Sequence, residues 1–143
     1  MLIDKYLSAY DFSEYHSIEF VTSVNGIYEK ILQCDFKRSI LIQFLFRLRG
    51  ISTRSYTIAH LTTMGFIKLA EQPGEEILYG MVTDSPTFNT CKSNITPTGF
   101  IQNSDPEIIK AVINFKLREM SNSHHIISTE TRVWCGSKEM RSK

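Results

Sequence analysis

The stretch "IIKAVINFKLREMSNSHHIISTETRVWC" (108–135) consists of two strand-like runs joined by the turn residues "SNS" (121–123). A three-residue turn pairs Met120 with His124 and fixes every later pair across the hairpin. The resulting pairs are Leu117 with Ile127, Phe115 with Thr129, Ile113 with Thr131 and Ala111 with Val133. One face is then apolar or threonine and the other is polar, and a slip of one residue would mix the two. The pattern predicts a long antiparallel hairpin in this register.

Two adjacent histidines, His124 and His125, raise the question of a metal site in this hairpin. Neighbouring residues on a strand point to opposite faces, so the two imidazoles cannot bind one metal ion from regular strand geometry. Cys135 shares a face with His125, but the strand between them spans roughly 33 Å. We therefore predict no metal site here, and no motif elsewhere in the sequence predicts a cofactor.

Other segments extend this pattern toward the N-terminus. The stretch 66–84 predicts a second hairpin, because Pro73 presets one backbone dihedral of its central turn and Gly74 supplies the positive one. A first strand is predicted over 16–23, and apolar residues at spacings of three and four predict an amphipathic helix over 24–34.

Four shorter elements complete the prediction. They are a helix over 40–48, a short helix over 58–64, a short strand at 99–102 within a loop, and a helix that begins at Ser137. The helix over 40–48 is apolar almost all round, and we interpret it as buried core rather than as a membrane or partner surface. The order of elements predicts an α+β fold with helices on one side of a curved antiparallel sheet.

Composition limits the class of protein. The 143 residues suit one domain, and 42% apolar with 22% charged residues is typical of a globular protein. Sixteen basic and fifteen acidic residues give a net charge of +1, which argues against nucleic-acid binding. The apolar run 40–48 has about half of the roughly 20 residues that a spanning helix needs, so no integral membrane segment is predicted. Three cysteines without a CxxC pair favour a reducing compartment, and we expect a cytoplasmic protein.

An ordered set of segments resembles a bacterial group of uncharacterised proteins in the START-like (SRPBCC, helix-grip) superfamily. The segments are "YDF...HSIEF" (10–20), "FKRSILIQFLFRLRG" (36–50), "LTTMGFIKLAEQPGEEILYGMVTD" (61–84), "AVINFKLREM" (111–120) and "STETRV" (128–133). The resemblance implies a curved antiparallel sheet wrapped around a long C-terminal helix, with an apolar cavity between them. Superfamily members bind lipids, steroids, polyketides or other hydrophobic molecules, and some act as cyclases or dehydratases. The sequence ends at Lys143, in the first turn of the implied helix, so either the chain is truncated or the grip helix is missing. A missing helix would uncover an apolar sheet face and favour a homodimer or instability.

Together these observations predict a protein that binds a hydrophobic small molecule or lipid in a cavity between the sheet and the helices. The candidate lining residues are Ile77, Tyr79, Met81, Ile113, Phe115, Leu117, Thr129 and Thr131. The alternative is a cyclase or dehydratase type of enzyme that uses Glu130 as acid or base with Arg132 or Tyr79 as its polar partner. A Glu130–Arg132 pair is, however, also typical of a solvent-side ion pair. A weaker alternative is a protein-interaction module built on the helix over 40–48.

Overall fold

The protein folds around an antiparallel sheet with short helices. Its structure is a computed structural model that describes residues 1–33, 57–58, 61–62, 65–84, 92, 94–121 and 123–142. The described strands are β1 (Phe12–Val21), β2 (Ile67–Gln72), β3 (Glu76–Thr83), β4 (Ile109–Ser121) and β5 (His124–Cys135), which lie in the order β1-β5-β4-β3-β2. The described helices are α1 (Leu2–Tyr6), α2 (Ile27–Gln33), α3 (Pro97–Gln102) and α4 (Lys138–Arg141). The predicted α+β class with an antiparallel sheet is confirmed.

The β4–β5 hairpin has the predicted register along almost its whole length, up to the pair of Glu119 with His125. At the tip the register shifts, so that Ser121 and not the predicted Met120 pairs with His124. Ser123 adopts a φ of 71°, in the left-handed region that few residues other than glycine occupy. A tighter turn with an irregularity beside it therefore replaces the predicted three-residue turn.

The β2–β3 hairpin forms around the predicted Pro-Gly turn. Gly74 has a φ of 81°, and the Glu75 N–H donates to the Gln72 carbonyl oxygen at 3.0 Å. The predicted first strand is confirmed as β1, which starts earlier, at Phe12. The predicted helix over 24–34 is present as α2, which begins three residues later than predicted, at Ile27. The helix over 40–48 lies outside the described residues, as does most of the one over 58–64.

Helices pack on both faces of the sheet. On one face, Leu78 and Val112 belong to a buried cluster with Ile3 of α1 and Phe100 of α3. On the opposite face, Tyr79 belongs to a second cluster that includes residues of α2 and of the segment 57–62. The prediction that the helices lie on one side is therefore wrong. Every residue of β3 is buried, and a central strand of this kind needs cover on both faces.

The predicted strand at 99–102 is also wrong, because this segment lies in α3. The Thr96 hydroxyl accepts a hydrogen bond from the Gly99 N–H at 3.1 Å, which caps the helix, and Pro97 suits its first turn. Helix α4 begins after Ser137 as predicted, and the Ser137 hydroxyl accepts from the Met140 N–H at 3.4 Å.

Candidate functional site

The eight residues predicted to line a cavity share one face of the sheet, which we call the Tyr79 face. This face carries the odd-numbered residues of β3, β4 and β5 and the even-numbered residues of β1; we call the opposite one the Arg132 face. The strand registers arrange the predicted residues in rows that continue into β1. The rows are Met81–Ala111–Val133–Phe12, Tyr79–Ile113–Thr131–Glu14, Ile77–Phe115–Thr129–His16 and Leu117–Ile127–Ile18.

Exposure to solvent rises along these rows from β3 toward β1. Ile77 and Tyr79 are buried beneath Tyr28 of α2 and two residues of the segment 57–62, Ile58 and Leu61. The predicted residues of β4 and β5 are half-buried, and the β1 residues at the far end of the two central rows are exposed. The Tyr79 face is therefore covered over β3 and open toward β1.

A pocket of about 920 Å³ lies at one end of the Tyr79 face, where the start of α2 meets the tips of both hairpins. This volume is within the range of small-molecule sites, roughly 300–1,000 Å³. Its apolar lining is Val24, Ile27, Tyr28, Leu117 and Met120, and its polar lining includes Glu29, Glu75, Lys116, Arg118, Glu119 and His125. Among the eight predicted residues, Leu117 lines this pocket.

His125 is the buried polar residue of the pocket lining. His125 is 8% exposed, and its ring stacks on Phe20 with 5.6 Å between the ring centroids. Within the described structure, the buried Nδ1 atom of His125 has no hydrogen-bond partner. Its neighbour His124 lies on the opposite face, where Nε2 is 3.4 Å from a Glu19 carboxylate oxygen. The predicted separation of the two histidines is confirmed.

A phenol beside the pocket is held in its protonated form. The Tyr28 hydroxyl donates to a Glu71 carboxylate oxygen at 3.1 Å. Burial, reinforced by the Glu71 charge, raises the pKa of Tyr28, and the same two causes raise the pKa of Tyr79. Both hydroxyls can therefore donate hydrogen bonds at neutral pH, but neither can act as a general base there.

The pair Glu130 and Arg132 lies on the Arg132 face, away from this pocket. Arg132 donates to a Glu130 carboxylate oxygen at 2.7 Å, to an Asp4 carboxylate oxygen at 2.8 Å and to the Leu7 carbonyl at 2.9 Å. Its guanidinium carbon is 4.7 Å from the centre of the Tyr10 ring. Burial works to lower the pKa of Arg132, but the hydrogen bonds to the two carboxylates raise it. Arg132 thus ties the N-terminal segment to the sheet.

A second buried carboxylate, which the sequence reasoning missed, extends this polar layer. Glu76 is 2% exposed and accepts from the Asn114 amide at 2.8 Å and from the Leu2 N–H at 3.1 Å. The Asn114 amide oxygen accepts in turn from the Glu130 N–H at 2.7 Å. The polar residues at even positions of an otherwise apolar β4 were the signal that could have revealed this layer.

The ion pair of Arg132 with Asp4 gives a pH-dependent prediction. The Arg132 hydrogen bond lowers the pKa of Asp4 below its ordinary 3.8, so the pair stabilises the fold above that pH and is lost as the pH falls through the lowered pKa. The Asp4 side chain is 51% exposed, so solvent screens the pair. We expect Asp4→Asn to cost up to about 1 kcal/mol at pH 7. Urea unfolding of both proteins at pH 7 and pH 3 measures this, and a difference that grows toward pH 3 would contradict it.

Comparisons with known proteins add no family to these observations. No family model, no curated protein and no solved structure matches the chain. In the part of the chain that the structure describes, no three His, Cys, Asp or Glu side chains are grouped so that they could hold a metal ion. No helix among the described residues is long and apolar enough to cross a membrane. The resemblance to the START-like superfamily stays a prediction.

Proposed function

We propose that the protein binds a small hydrophobic or amphipathic molecule of lipid-like chemistry at the Tyr79 face. The observation that carries this proposal is the pocket of about 920 Å³ between α2 and the sheet. Leu117 belongs both to the pocket and to the half-buried apolar strip that Ile113 and Phe115 continue along β4. An apolar body can lie along this strip while a polar end occupies the pocket.

The charges around the pocket favour a ligand whose polar end carries no net charge. The residues that line the pocket include two basic ones, Lys116 and Arg118, and three acidic ones, Glu29, Glu75 and Glu119. These opposite charges largely offset one another, so neither an anion nor a cation is strongly preferred. The polar lining also offers hydrogen-bonding groups, which fix the orientation of an uncharged polar end. A long-chain alcohol is the simplest molecule with this chemistry.

The resemblance to the START-like superfamily supports the same proposal. The superfamily holds hydrophobic ligands between a curved antiparallel sheet and helices, and the helix-grip arrangement is part of what we propose. The antiparallel sheet and the packing of α2 on the Tyr79 face agree with it. The cytoplasm remains the proposed location, because the three cysteines of the sequence form no CxxC pair and favour a reducing compartment.

A binding protein is favoured over a cyclase or dehydratase that uses Glu130 and Arg132. The guanidinium of Arg132 is already engaged with Glu130, Asp4 and Leu7. Both residues also lie on the face opposite the pocket. A catalytic role would require these contacts to be given up for substrate.

Binding of 1-decanol tests the proposal, and it is measured by the displacement of a neutral fluorescent naphthylamine probe. We expect Leu117→Gln to weaken 1-decanol binding about tenfold, because part of the apolar contact of one leucine is lost. Ile101→Gln is the matched control, since Ile101 is exposed on α3 and does not line the pocket. Equal effects of both variants, or no saturable binding by the natural protein, would refute the proposal.

The His125→Phe variant separates binding from stability. The substitution keeps a ring to stack on Phe20 and removes the buried Nδ1 that has no partner within the described structure. We expect the free energy of unfolding to rise by about 1 kcal/mol, because a buried polar atom without a hydrogen bond is costly. We expect 1-decanol to bind more weakly, since a polar group of the pocket is lost. Thermal unfolding and the same displacement assay measure both, and a variant that is less stable would contradict this account of His125.

A further inference from the structure

The strand β1 stands out from the rest of the sheet by its exposure. Nine of its ten residues are exposed and Phe20 is the half-buried one. The apolar side chains among them are far from buried: Ile18 is 67% exposed and Val21 is 78% exposed. Among the described strands, β1 has one neighbour, β5, and so forms an edge of the sheet. An edge strand presents a row of backbone N–H and C=O groups that can pair with another strand.

The two edges of the sheet differ in how well they are protected against such pairing. The strand β2, at the other edge, has six residues and an irregular register between Lys68 and Ala70. One of its backbone carbonyls, that of Leu69, accepts a hydrogen bond from the Tyr6 hydroxyl. The strand β1 has ten residues, an unbroken register with β5 and no Pro, Lys or Arg. It therefore lacks the proline, the basic residues and the irregular register that often block edge-to-edge pairing.

The hydrogen-bond pattern identifies which backbone groups of β1 face outward. Just after β1, the Thr22 N–H donates to the Ser123 carbonyl at 2.7 Å, and this pair continues the register in which β1 pairs with β5. Bonding pairs alternate along an antiparallel ladder, so the even-numbered residues of β1 bond to β5. The odd-numbered residues then direct their N–H and C=O groups away from β5; they are Ser13, Tyr15, Ser17, Glu19 and Val21.

We propose that β1 pairs antiparallel with β1 of a second copy of the chain, about a two-fold axis at Tyr15. A two-fold axis perpendicular to the sheet keeps each face on the same side, so odd-numbered residues lie opposite odd-numbered ones. In this register Glu14 lies opposite His16 of the second copy, and Phe12 lies opposite its Ile18. Each contact occurs twice, so that a carboxylate meets an imidazole and apolar side chains meet, while Glu19 lies opposite Asp11 of the second copy.

Neighbouring registers lack this complementarity. An axis at His16 sets the two His16 side chains against each other and puts Glu14 opposite an isoleucine. An axis at Ser17 puts Glu14 opposite Phe20 and Tyr15 opposite Glu19. Within one chain, His16 Nε2 already lies 2.9 Å from a Glu14 carboxylate oxygen. Two such carboxylate–imidazole pairs can join at the interface, which is why a second copy fits this edge.

The natural protein should therefore dimerise reversibly. A single pair of strands makes a small interface, so we expect a dissociation constant on the order of 10 μM. Sedimentation velocity from low micromolar to about 1 mM protein brackets this value. A protein that stays monomeric over the whole series would overturn the proposal.

Ser17→Pro tests whether the outward backbone of β1 makes the interface. Proline removes an N–H that β5 does not use, and edge strands tolerate proline where the N–H faces solvent. We expect dimerisation to weaken at least about tenfold, which corresponds to the loss of backbone hydrogen bonds at two symmetric places. Ser17→Ala keeps the N–H and should dimerise like the natural protein. Unchanged dimerisation of Ser17→Pro would overturn the proposal.

A charge exchange tests the register and does not depend on how the fold tolerates proline. His16→Glu sets like charges opposite each other at two places and should weaken the dimer at least about fivefold. Adding Glu14→Lys to that variant sets opposite charges against each other in the Tyr15-centred register and should recover the dimer. Failure of the double variant to recover, with its thermal unfolding unchanged, would overturn the pairing.

Discussion

Arg132→Met is expected to lower the free energy of unfolding by about 3–5 kcal/mol, the usual cost of removing one partner from a buried charge pair. The Arg132 side chain is 7% exposed and that of Glu130 is 13% exposed. Methionine has a similar length but donates no hydrogen bond. The Glu130 carboxylate and the Leu7 carbonyl would each lose a donor in a place that water reaches poorly. Urea unfolding monitored by circular dichroism measures the loss.

Two further measurements show whether this loss arises at the Arg132 contacts. Arg132→Lys keeps the charge but cannot reproduce the three-way donation, so its stability should lie between those of the natural protein and Arg132→Met. Hydrogen exchange should quicken most in α1, because Arg132 holds Asp4 within that helix and Leu7 at its C-terminal end. A loss below 1 kcal/mol for Arg132→Met, or exchange that quickens evenly, would show that this arginine does not anchor the N-terminal segment.

The parts of the fold that the sequence predicted are those with local signals. The period-two alternation over 108–135 fixed the hairpin register, and the Pro-Gly pair fixed the second hairpin. The parts it missed depend on distant contacts. The first N–H of α1 is bonded by Glu76, 74 positions away in the chain, and no pattern within five residues reveals such a partner.

A pattern in the sequence does indicate that helices pack on both faces of the sheet. The run "ILYGMV" (77–82) is apolar without alternation, which is typical of a strand buried on both sides. Alternation in β4 and β5 correctly placed the five candidate residues of those two strands on one face. It could not reveal the pocket, because that depends on where α2 meets the hairpin tips. The same limit hid the contacts of Arg132, which the sequence could identify only as a polar residue near Glu130.

Gly136→Ala is expected to destabilise the fold by about 3 kcal/mol, because the new methyl group has no space. A Cβ atom built at Gly136 would lie 2.3 Å from the Asp105 carbonyl oxygen and 2.8 Å from backbone atoms of Pro106. These are main-chain atoms, which cannot rotate away as the end of a side chain can. The Gly136 N–H also donates to the Ile108 carbonyl at 2.8 Å, so the two segments cannot separate without losing that bond.

Gly74→Ala is the matched control for Gly136→Ala, because it isolates the other reason for a glycine. A Cβ atom at Gly74 would have no atom within 4 Å, but the φ of 81° there is unfavourable for alanine. That conformational cost is about 1 kcal/mol. Thermal and urea unfolding of both variants should thus show the larger loss for Gly136→Ala. Equal losses would mean that the backbone of Asp105 and Pro106 leaves room for a methyl group at Gly136.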